Sequence, residues 1–313
     1  MKKENIGVIG TGMIATSLAV LTTGHGYKTT VFARSTASAA RCKDSYDDFM
    51  NDMKAHELIT SEQIGICEKY LETVYDYADM KDCDVVFECI AEDLEKKHEV
   101  YSLLEKNCPH LKAICSVSSS IEADDLCKNA KKYKDRIIVT HPFNPVHMVP
   151  YFEICTAAAT ADGVAQYVAE LLERLDRKPV ILKKSTPGFI GNRLQFALWR
   201  EALHIVEQGI ADPSDVEKCM MYSFCPRYTS IGMFEHFDNG GLELNYAVSA
   251  KLFPELADEK TVSHLVTDKI EKGDLGQKSG RGFYDWTNVD MEAYRERVNA
   301  PYLKFCVWDY PKQ

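Results

Sequence analysis

Short apolar runs alternate with amphipathic segments over the first part of the chain. Residues 6–9, Ile-Gly-Val-Ile, predict a buried strand, and apolar positions at helical spacing from about Met13 to Thr23 predict the helix that follows. Residues 29–33 predict the next strand. Further strands are expected at 84–88, 113–116, 136–140, 152–154 and 179–182. Strands that alternate with helices in this way predict an α/β fold built on a doubly wound, mostly parallel sheet.

Residues 36–76 interrupt this alternation. The segment has mostly helical patterning and is long for a connection between two strands. Thr60 and Gln63 have the spacing of a capping box, which predicts that a new helix begins there. We therefore expect a helical hairpin that projects from the sheet.

The pattern changes again after Pro187-Gly188. Residues 191–209 have the spacing of a long amphipathic helix, and Asp212-Pro213 predicts the start of the next one. Few strand signals follow, and no pattern predicts an element after Trp286. We expect a Rossmann-type domain over residues 1–184 and an all-α domain over residues 185–313.

Composition narrows the classes of function. The 313 residues carry a formal net charge of −10, which argues against a nucleic-acid binder because phosphate binding needs a positive face. Eleven cysteines without a Cys-x-x-Cys pair indicate reduced thiols rather than a disulfide scaffold or a zinc ribbon. No apolar run reaches the ~18 residues of a membrane span, and no signal peptide is recognised. We expect a cytoplasmic protein that binds small molecules.

A glycine-rich turn follows the first strand. Gly10 suits a tight bend, Gly12 allows backbone to approach a pyrophosphate, and Ala15 is small enough for close packing of helix on strand. The first residues of the helix, Met13 and Ile14, offer backbone N–H groups where the helix dipole is positive. The turn therefore predicts a dinucleotide site.

The end of the second strand bears on which dinucleotide binds. An NAD site usually has Asp or Glu there to hold the ribose hydroxyls. This strand instead ends at Ala33, Arg34 and Ser35, and Arg34 can pair with a 2′-phosphate. We expect these three residues to bind the cofactor and to favour NADP over NAD.

His141, in the segment His-Pro-Phe-Asn-Pro, is the candidate catalytic residue. Oxidation of an alcohol needs a base and the reverse reaction needs the matching acid, and histidine serves both near neutral pH. Glu153, twelve residues later, can accept a hydrogen bond from one ring nitrogen and aim the other at the substrate. The pair predicts proton transfer coupled to hydride transfer.

Together these motifs resemble those of the L-3-hydroxyacyl-CoA dehydrogenase family. The similarity extends from the glycine turn to Gly-Phe-Tyr near residue 284. Besides the turn, the matching segments, in chain order, are 92–97, 116–121, 141–145, Glu153, 186–193 and 276–284. The resemblance implies a two-domain dehydrogenase of the C3 hydroxyl.

The resemblance also implies roles for further residues. Glu92 and Lys97 match residues at the nicotinamide side of the cofactor, and Ser116 lies in the matching serine-rich strand end. Ser119 and Asn192 match residues that can donate hydrogen bonds to the substrate oxygen. Because Asn192 opens the second domain, we expect the site in the cleft between domains.

Three other assignments fit these residues less well. A Ser-His-Glu hydrolase lacks the Gly-x-Ser-x-Gly turn that would present Ser119. Zinc at His141 and His147 lacks further ligands at suitable spacing, and His147 is expected to be structural. A non-catalytic cofactor-binding or structural protein is disfavoured because the residues proposed for chemistry are all present.

The substrate has two candidates. The closing Gly-Arg-Gly-Phe-Tyr motif resembles the acyl-CoA enzymes, whereas the segment after His141 resembles a branch that includes L-gulonate and carnitine dehydrogenases. Residues 47–56 contain three aspartates and one lysine, which would repel CoA phosphates. We expect an acyl-CoA, with a free 3-hydroxy acid as the alternative.

The helical domain is expected to dimerise, by resemblance to the family. Its candidate apolar contacts are Phe234, Phe237, Leu242 and Leu244.

Overall fold

The computed structural model describes residues 3–312 and divides into two compact units. The first runs to Phe189 and resumes at Arg295, and the second is Ile190–Tyr294. The prediction placed residues 185–313 in one helical domain, so the return of the C-terminal segment to the first unit is a difference. Each unit is described separately below.

The first unit contains a mixed sheet that is parallel except at one strand pair. Within residues 3–312 the strands are β1 Ile6–Ile9, β2 Thr29–Phe32, β3 Leu71–Val74, β4 Val85–Glu88, β5 Ala113–Ser116, β6 Ile137–Pro142, β7 Tyr151–Cys155 and β8 Lys178–Ile181. Their order is β3-β2-β1-β4-β5-β6-β7-β8, and only β6 and β7 pair antiparallel. The order reverses between β1 and β4, which is where such sheets bind ligands at their carboxyl edge. The predicted α/β class is confirmed.

Helices cover both faces of the sheet. Those of the first unit are α1 Met13–Gly24, α2 Thr36–Ala55, α3 Ser61–Glu68, α4 Leu94–Asn107, α5 Ala123–Cys127 and α6 Val164–Arg174. Two clusters of buried side chains fill the space between the helices and the sheet. Such burial supplies most of the stability of a fold of this kind.

The predicted helical hairpin is partly wrong. Helix α2 packs on α1, and its apolar stripe buries Tyr46, Met50 and Met53 in the main core rather than projecting from the sheet. The capping box of Thr60 and Gln63 does begin α3. Residues that the pattern assigned to helix form β3 instead, because Leu71–Val74 finds a hydrogen-bonding partner in β2.

The C-terminal segment completes the core of the first unit. Cys306, Trp308 and Tyr310 are buried with the residues of α1. At Gly24 a side chain would come within 2.6 Å of the Trp308 ring, so the glycine makes room for the indole. No local sequence pattern predicts this packing, because the residues that contact the C-terminal segment lie near the other end of the sequence.

The second unit is helical, as the sequence predicts. Its helices are α7 Gly191–Glu207, α8 Pro213–Tyr222, α9 Met233–Asn239, α10 Leu242–Leu252 and α11 His264–Glu271, and α12 Met291–Asn299 spans the boundary. Among its described residues, only Leu203 and Ala257 are buried. A unit of this length therefore has almost no core of its own.

Candidate active site

The glycine turn has the geometry that a bound pyrophosphate requires. Gly10 has φ +123°, and a Cβ there would lie 2.8 Å from the Cys89 carbonyl oxygen, so only glycine fits. Gly12, by contrast, has open space within 4 Å of its Cβ direction. It precedes α1 without a side-chain cap, and no acidic residue lies in the first turn. The backbone N–H groups of Met13 and Ile14 are thus in the place where a dinucleotide phosphate is held in such folds.

Four strands end at the same edge as this turn. Ile9 of β1 is in register with Glu88 of β4, which pairs with Ser116 of β5, which pairs with Val139 of β6. Because these strands are parallel, the residues on the carboxyl side of this register line lie along one edge of the sheet. The register therefore brings the turn, Glu92, Ser119 and His141 to a common side of the molecule.

At the end of β2 the three predicted residues differ in exposure. Ala33 is buried and donates its N–H to the Val74 carbonyl, while Arg34 is exposed. The Ser35 hydroxyl caps α2 by accepting from the Ser38 N–H. The Arg34 guanidinium therefore follows β2. The N-terminus of α2 comes next, and its first turn contains no carboxylate.

Lys97 and Ser116, both expected at the cofactor, are fully buried around Glu88. Both oxygens of Glu88 accept from Lys97 Nζ, at 2.8 and 3.0 Å, and Ser116 Oγ donates at 2.8 Å. Tyr101 adds a third donor at 2.8 Å, and burial beside this carboxylate raises its pKa well above the usual value. Glu88 was not among the predicted site residues, although an acid at the end of a fully apolar strand was a visible signal.

The Glu92 carboxylate accepts hydrogen bonds from the serine-rich segment after β5. It accepts from the Ser119 backbone N–H at 2.6 Å, from Ser118 Oγ at 2.9 Å and from Ser119 Oγ at 3.2 Å. Partial burial acts to raise the pKa of Glu92, but these hydrogen bonds and the Lys97 charge together hold it below its usual value. Ser119 is thus fixed to the segment after β4.

His141 and Glu153 form a direct pair. They are register partners in the antiparallel β6–β7 ladder, so their side chains share one face of the sheet. His141 Nδ1 lies 2.9 Å from Glu153 Oε2, and the residues are 7% and 1% exposed. A carboxylate only accepts, so Nδ1–H is the donor and Nε2 remains for another partner. The rings of Phe143 and Phe189 lie 5.4 and 5.3 Å from the imidazole.

A buried arginine forms hydrogen bonds with the loop between β6 and β7. Arg177 donates to the carbonyls of Val146 and His147, both at 3.3 Å, and burial lowers its pKa to about 10. His147 is buried against Ser17 of α1, with Nδ1 2.6 Å from the hydroxyl, and burial lowers its pKa to about 3. These contacts fix His147 as a packed, neutral side chain inside the fold.

The loop also contacts the glycine turn. Asn144 Nδ2 lies 2.9 Å from the Met13 sulfur at the start of α1. The predicted catalytic segment and the predicted cofactor segment are therefore neighbours within the first unit. Asn192, the remaining predicted residue, is the second residue of α7 in the second unit.

Residues 3–312 contain neither a cluster of metal ligands nor a membrane-spanning helix. No group of three or more His, Cys, Asp or Glu side chains in that range is arranged to hold a metal ion. In the same range, no helix has both the length and the apolar character to span a bilayer.

Comparison with known proteins places the chain in a family. Residues 5–185 match the family model of the 3-hydroxyacyl-CoA dehydrogenase NAD binding domain, and residues 188–286 match the C-terminal domain of the same enzymes. These two matches account for most of the chain.

Three relatives illustrate the range of the similarity. The 5-formyl-3-hydroxy-2-methylpyridine 4-carboxylate 5-dehydrogenase of Mesorhizobium japonicum is 26% identical over 93% of both chains. The L-carnitine dehydrogenase of Oceanobacillus iheyensis is 30% identical over 77% of this chain and 76% of that protein. The crystal structure of (S)-3-hydroxybutyryl-CoA dehydrogenase from Ralstonia eutropha is 25% identical, covers 92% of this chain and 100% of its own, and has a TM-score of 0.75.

A solved structure of the pyridine-carboxylate enzyme shares the fold. It has a TM-score of 0.86 over 97% of both chains, at 24% identity. The glycine turn, the strand order and the two matched domains thus all indicate the same two-domain fold. The chain belongs to the 3-hydroxyacyl-CoA dehydrogenase family, whose members are NAD-dependent oxidoreductases acting on CH–OH groups.

Proposed function

We propose that the chain transfers a hydride between a nicotinamide cofactor and C3 of a 3-hydroxy or 3-oxo acyl substrate, which is either a free acid or a CoA thioester. The observation that carries the proposal is the 2.9 Å bond between His141 Nδ1 and the buried carboxylate of Glu153. This bond fixes the ring tautomer and leaves Nε2 to meet the substrate oxygen.

His141 acts as the base in oxidation and as the acid in reduction. Its Nε2 takes the hydroxyl proton as the C3–H bond breaks, and it returns a proton to the oxygen in the reverse direction. The bound nicotinamide supplies the hydride acceptor or donor. Glu153 stabilises the imidazolium that forms, because an adjacent carboxylate in a water-poor site favours the charged ring.

Ser119 and Asn192 are proposed as donors to the substrate oxygen. The Ser119 hydroxyl is 3.2 Å from Glu92, longer than the 2.6 Å bond from its own backbone N–H. The hydroxyl can therefore turn to a substrate while the backbone bond keeps the residue in place. A donor at the oxygen stabilises the charge that develops there.

The cofactor contacts divide into three groups. Gly10, Gly12 and the amides of Met13 and Ile14 are proposed to hold the pyrophosphate. Glu92 is proposed to face the nicotinamide side. Lys97 and Ser116 are buried on Glu88, so their proposed effect on the cofactor is through the position and charge of Glu92, whose carboxylate lies 3.7 Å from Lys97 Nζ.

We propose a preference for NADP over NAD. Support comes from exposed Arg34, from Ser35 at the start of α2, and from the lack of an acidic residue in the first turn of α2. A bidentate guanidinium–phosphate pair would favour NADP by roughly tenfold or more. In Arg34→Ser this preference should fall while NAD binding is retained.

We propose a free acid ahead of a CoA thioester, which reverses the order of the two substrates expected from the sequence. Lys43 of α2 pairs with Asp47 and with Glu68, with Nζ 2.9 Å from the Glu68 carboxylate, so nearby carboxylates weaken its attraction for a phosphate. Exposed Asp44 and Asp48 on the same helix would repel CoA phosphates. Relatives named for carnitine and for a pyridine carboxylate support the same choice.

The acyl-CoA candidate retains support of its own. It rests on the closing Gly-Arg-Gly-Phe-Tyr motif and on relatives such as the hydroxybutyryl-CoA enzyme. The two candidates share the chemistry at C3 and differ in how the carboxyl end is held.

One assay separates these proposals. Oxidation of NADPH and of NADH is followed with acetoacetate and with acetoacetyl-CoA, and cofactor reduction is followed with L-carnitine and L-gulonate. We expect a free acid to turn over faster than the thioester, with NADPH favoured over NADH. Turnover of the thioester alone would reverse the choice of substrate, and equal or better use of NADH would contradict the role of Arg34.

The second unit is proposed to form a homodimer. Phe234 is 93% exposed, and Leu242, Leu244 and Phe237 are also exposed on α9 and α10. Apolar area of this extent on a unit with two buried residues favours a partner surface. A second copy of the chain is the proposed partner.

All eleven cysteines are free thiols. This state supports the proposed location in a reducing cytoplasm.

A further inference from the structure

Tyr151 is a second partner of the carboxylate that holds His141. Its hydroxyl donates to Glu153 Oε1 at 3.3 Å, while His141 Nδ1 bonds to Oε2. Glu153 is 1% exposed, so its charge is shared mainly among protein groups. One carboxylate oxygen thus meets the tyrosine and the other meets the histidine, so the three side chains form a row from tyrosine to histidine.

The strand places Tyr151 where it can act on this carboxylate. Residues 151 and 153 are two positions apart on β7, so their side chains lie on the same face of the strand. His141 of β6 is the register partner of Glu153, so its side chain lies on that face as well. The Tyr151 ring lies 5.7 Å from Phe143, whose own ring lies 5.4 Å from His141. Packing as well as hydrogen bonding therefore fixes the phenol.

The hydroxyl remains a donor over the working pH range. Burial first, and then the charge and hydrogen bond of Glu153, raise the pKa of Tyr151 to about 12. The phenol therefore stays protonated near neutral pH and can donate to Glu153.

Other charged groups lie beside Tyr151, and two of them, Asp176 and Arg177, bond to groups other than Tyr151 and Glu153. A cavity of about 590 Å³ is lined by Tyr151 with Glu173, Asp176, Arg177, Lys178 and Lys304. Asp176 bonds His25 at 3.1 Å, and Arg177 donates to backbone carbonyls. Lys178 is the register partner of Tyr151 on β8. Tyr151 thus acts on the Glu153 carboxylate together with His141.

We propose that Tyr151 is a positioning residue that sets how strongly Glu153 favours the protonated form of His141. The hydroxyl draws part of the carboxylate charge to Oε1 and holds the carboxylate plane for Oε2 to meet Nδ1. Its place in catalysis rests on the function proposed above. Without the hydroxyl, more of the charge acts on the imidazole, and the protonated ring persists to higher pH.

The test is the titration of the His141 ring in Tyr151→Phe. Full-length protein labelled at histidine Cε1 and saturated with NADP⁺ is followed by NMR, with the His141 signal assigned by its loss in His141→Gln. We expect the midpoint of the His141 titration to move up by about half a pH unit in Tyr151→Phe. Tyr167→Phe is the matched control, since it removes another tyrosine–glutamate bond, of 3.2 Å to Glu4, outside the site.

An unchanged midpoint in Tyr151→Phe would overturn the inference, as would an equal shift in the control. Because this readout needs no substrate, it is independent of the proposed reaction. If His141→Gln keeps its turnover, the proposed function fails, whereas a fixed midpoint removes only the role of Tyr151.

Discussion

At the scale of single residues, burial decides the charge of His147. The ring is 1% exposed, its Nδ1 meets Ser17 at 2.6 Å, and its Nε2 has no hydrogen-bond partner among the described residues. Burial is the largest cause that lowers its pKa to about 3, and the charge of Arg177 adds to it. A neutral imidazole is therefore part of the packing that supports the loop between β6 and β7.

This burial predicts a loss of stability in mild acid. Above the unfolded pKa of about 6.5, neither state of His147 is protonated and its contribution is constant. As the pH falls below 6.5, the unfolded chain takes up a proton that the folded chain refuses down to about pH 3, so the free energy of unfolding decreases. Between pH 7 and pH 4.5 the loss from this group should be about 2 kcal/mol.

The measurement is urea unfolding of the wild type and of His147→Asn at both pH values. The asparagine amide can keep the Ser17 bond but does not titrate. We expect the variant to lose about 2 kcal/mol less than the wild type on acidification. An identical pH dependence in the two proteins would show that His147 does not carry the effect.

At the scale of elements, helix α1 has a glycine at each end with a different task. Gly12 opens the helix beside free space, and Gly24 closes it against the Trp308 ring. The first leaves room for a ligand and the second leaves room for the chain's own tail. Sequence reasoning identified Gly12, because its neighbours form a known turn, but not Gly24, whose partner is distant in sequence.

The two glycines therefore predict opposite phenotypes for the same change. Gly12→Ala should leave the free energy of unfolding within about 0.5 kcal/mol, because lower chain entropy in the unfolded state offsets a weaker N-cap. It should weaken cofactor binding by roughly tenfold or more. Gly24→Ala should lower stability by about 1–3 kcal/mol through the clash with Trp308.

Thermal melts and fluorescence titration with NADPH measure both effects. Unaltered cofactor affinity in Gly12→Ala would contradict the placement of the pyrophosphate. A fully stable Gly24→Ala would contradict the packing of the tail.

At the scale of the molecule, sequence patterns predicted what is local. Strands β1 and β4, the cap of α3 and the start of α8 follow from spacing and turn chemistry within a few residues. Strand β3 and the tail depend on pairing with β2 and on packing at Gly24, so no local pattern could predict them. In the site, the His141–Glu153 contact was predictable, while the burial of Lys97 and Ser116 depends on Glu88 in a neighbouring strand.

The sparse core of the second unit predicts dependence on a partner copy. In its described part an apolar cavity of about 930 Å³, lined in part by Trp199, Phe283 and Val206, adds to the exposed apolar surface of α9 and α10. A charged side chain in place of Phe234 or Leu244 should weaken dimerisation if these residues lie in a dimer interface. The same change should have little effect on a surface that is free.

Light scattering after gel filtration tests this expectation. The wild type should have the mass of two chains, and Phe234→Glu combined with Leu244→Glu should shift it to one chain with a lower melting temperature. Glu235→Gln and Glu243→Gln on the same helices serve as the control and should remain dimeric. A monomeric wild type, or an unaffected double variant, would remove these helices as the interface.

The most direct test of the central claim is the turnover number of His141→Gln on the best substrate of the assay panel. General acid–base catalysis predicts a decrease of at least about 10²-fold, with NADPH affinity unchanged and with full activity in the control His110→Gln, an exposed histidine. A His141→Gln enzyme that turns over within a few-fold of the wild type would contradict the account, because the bond to Glu153 would then have no part in the chemistry.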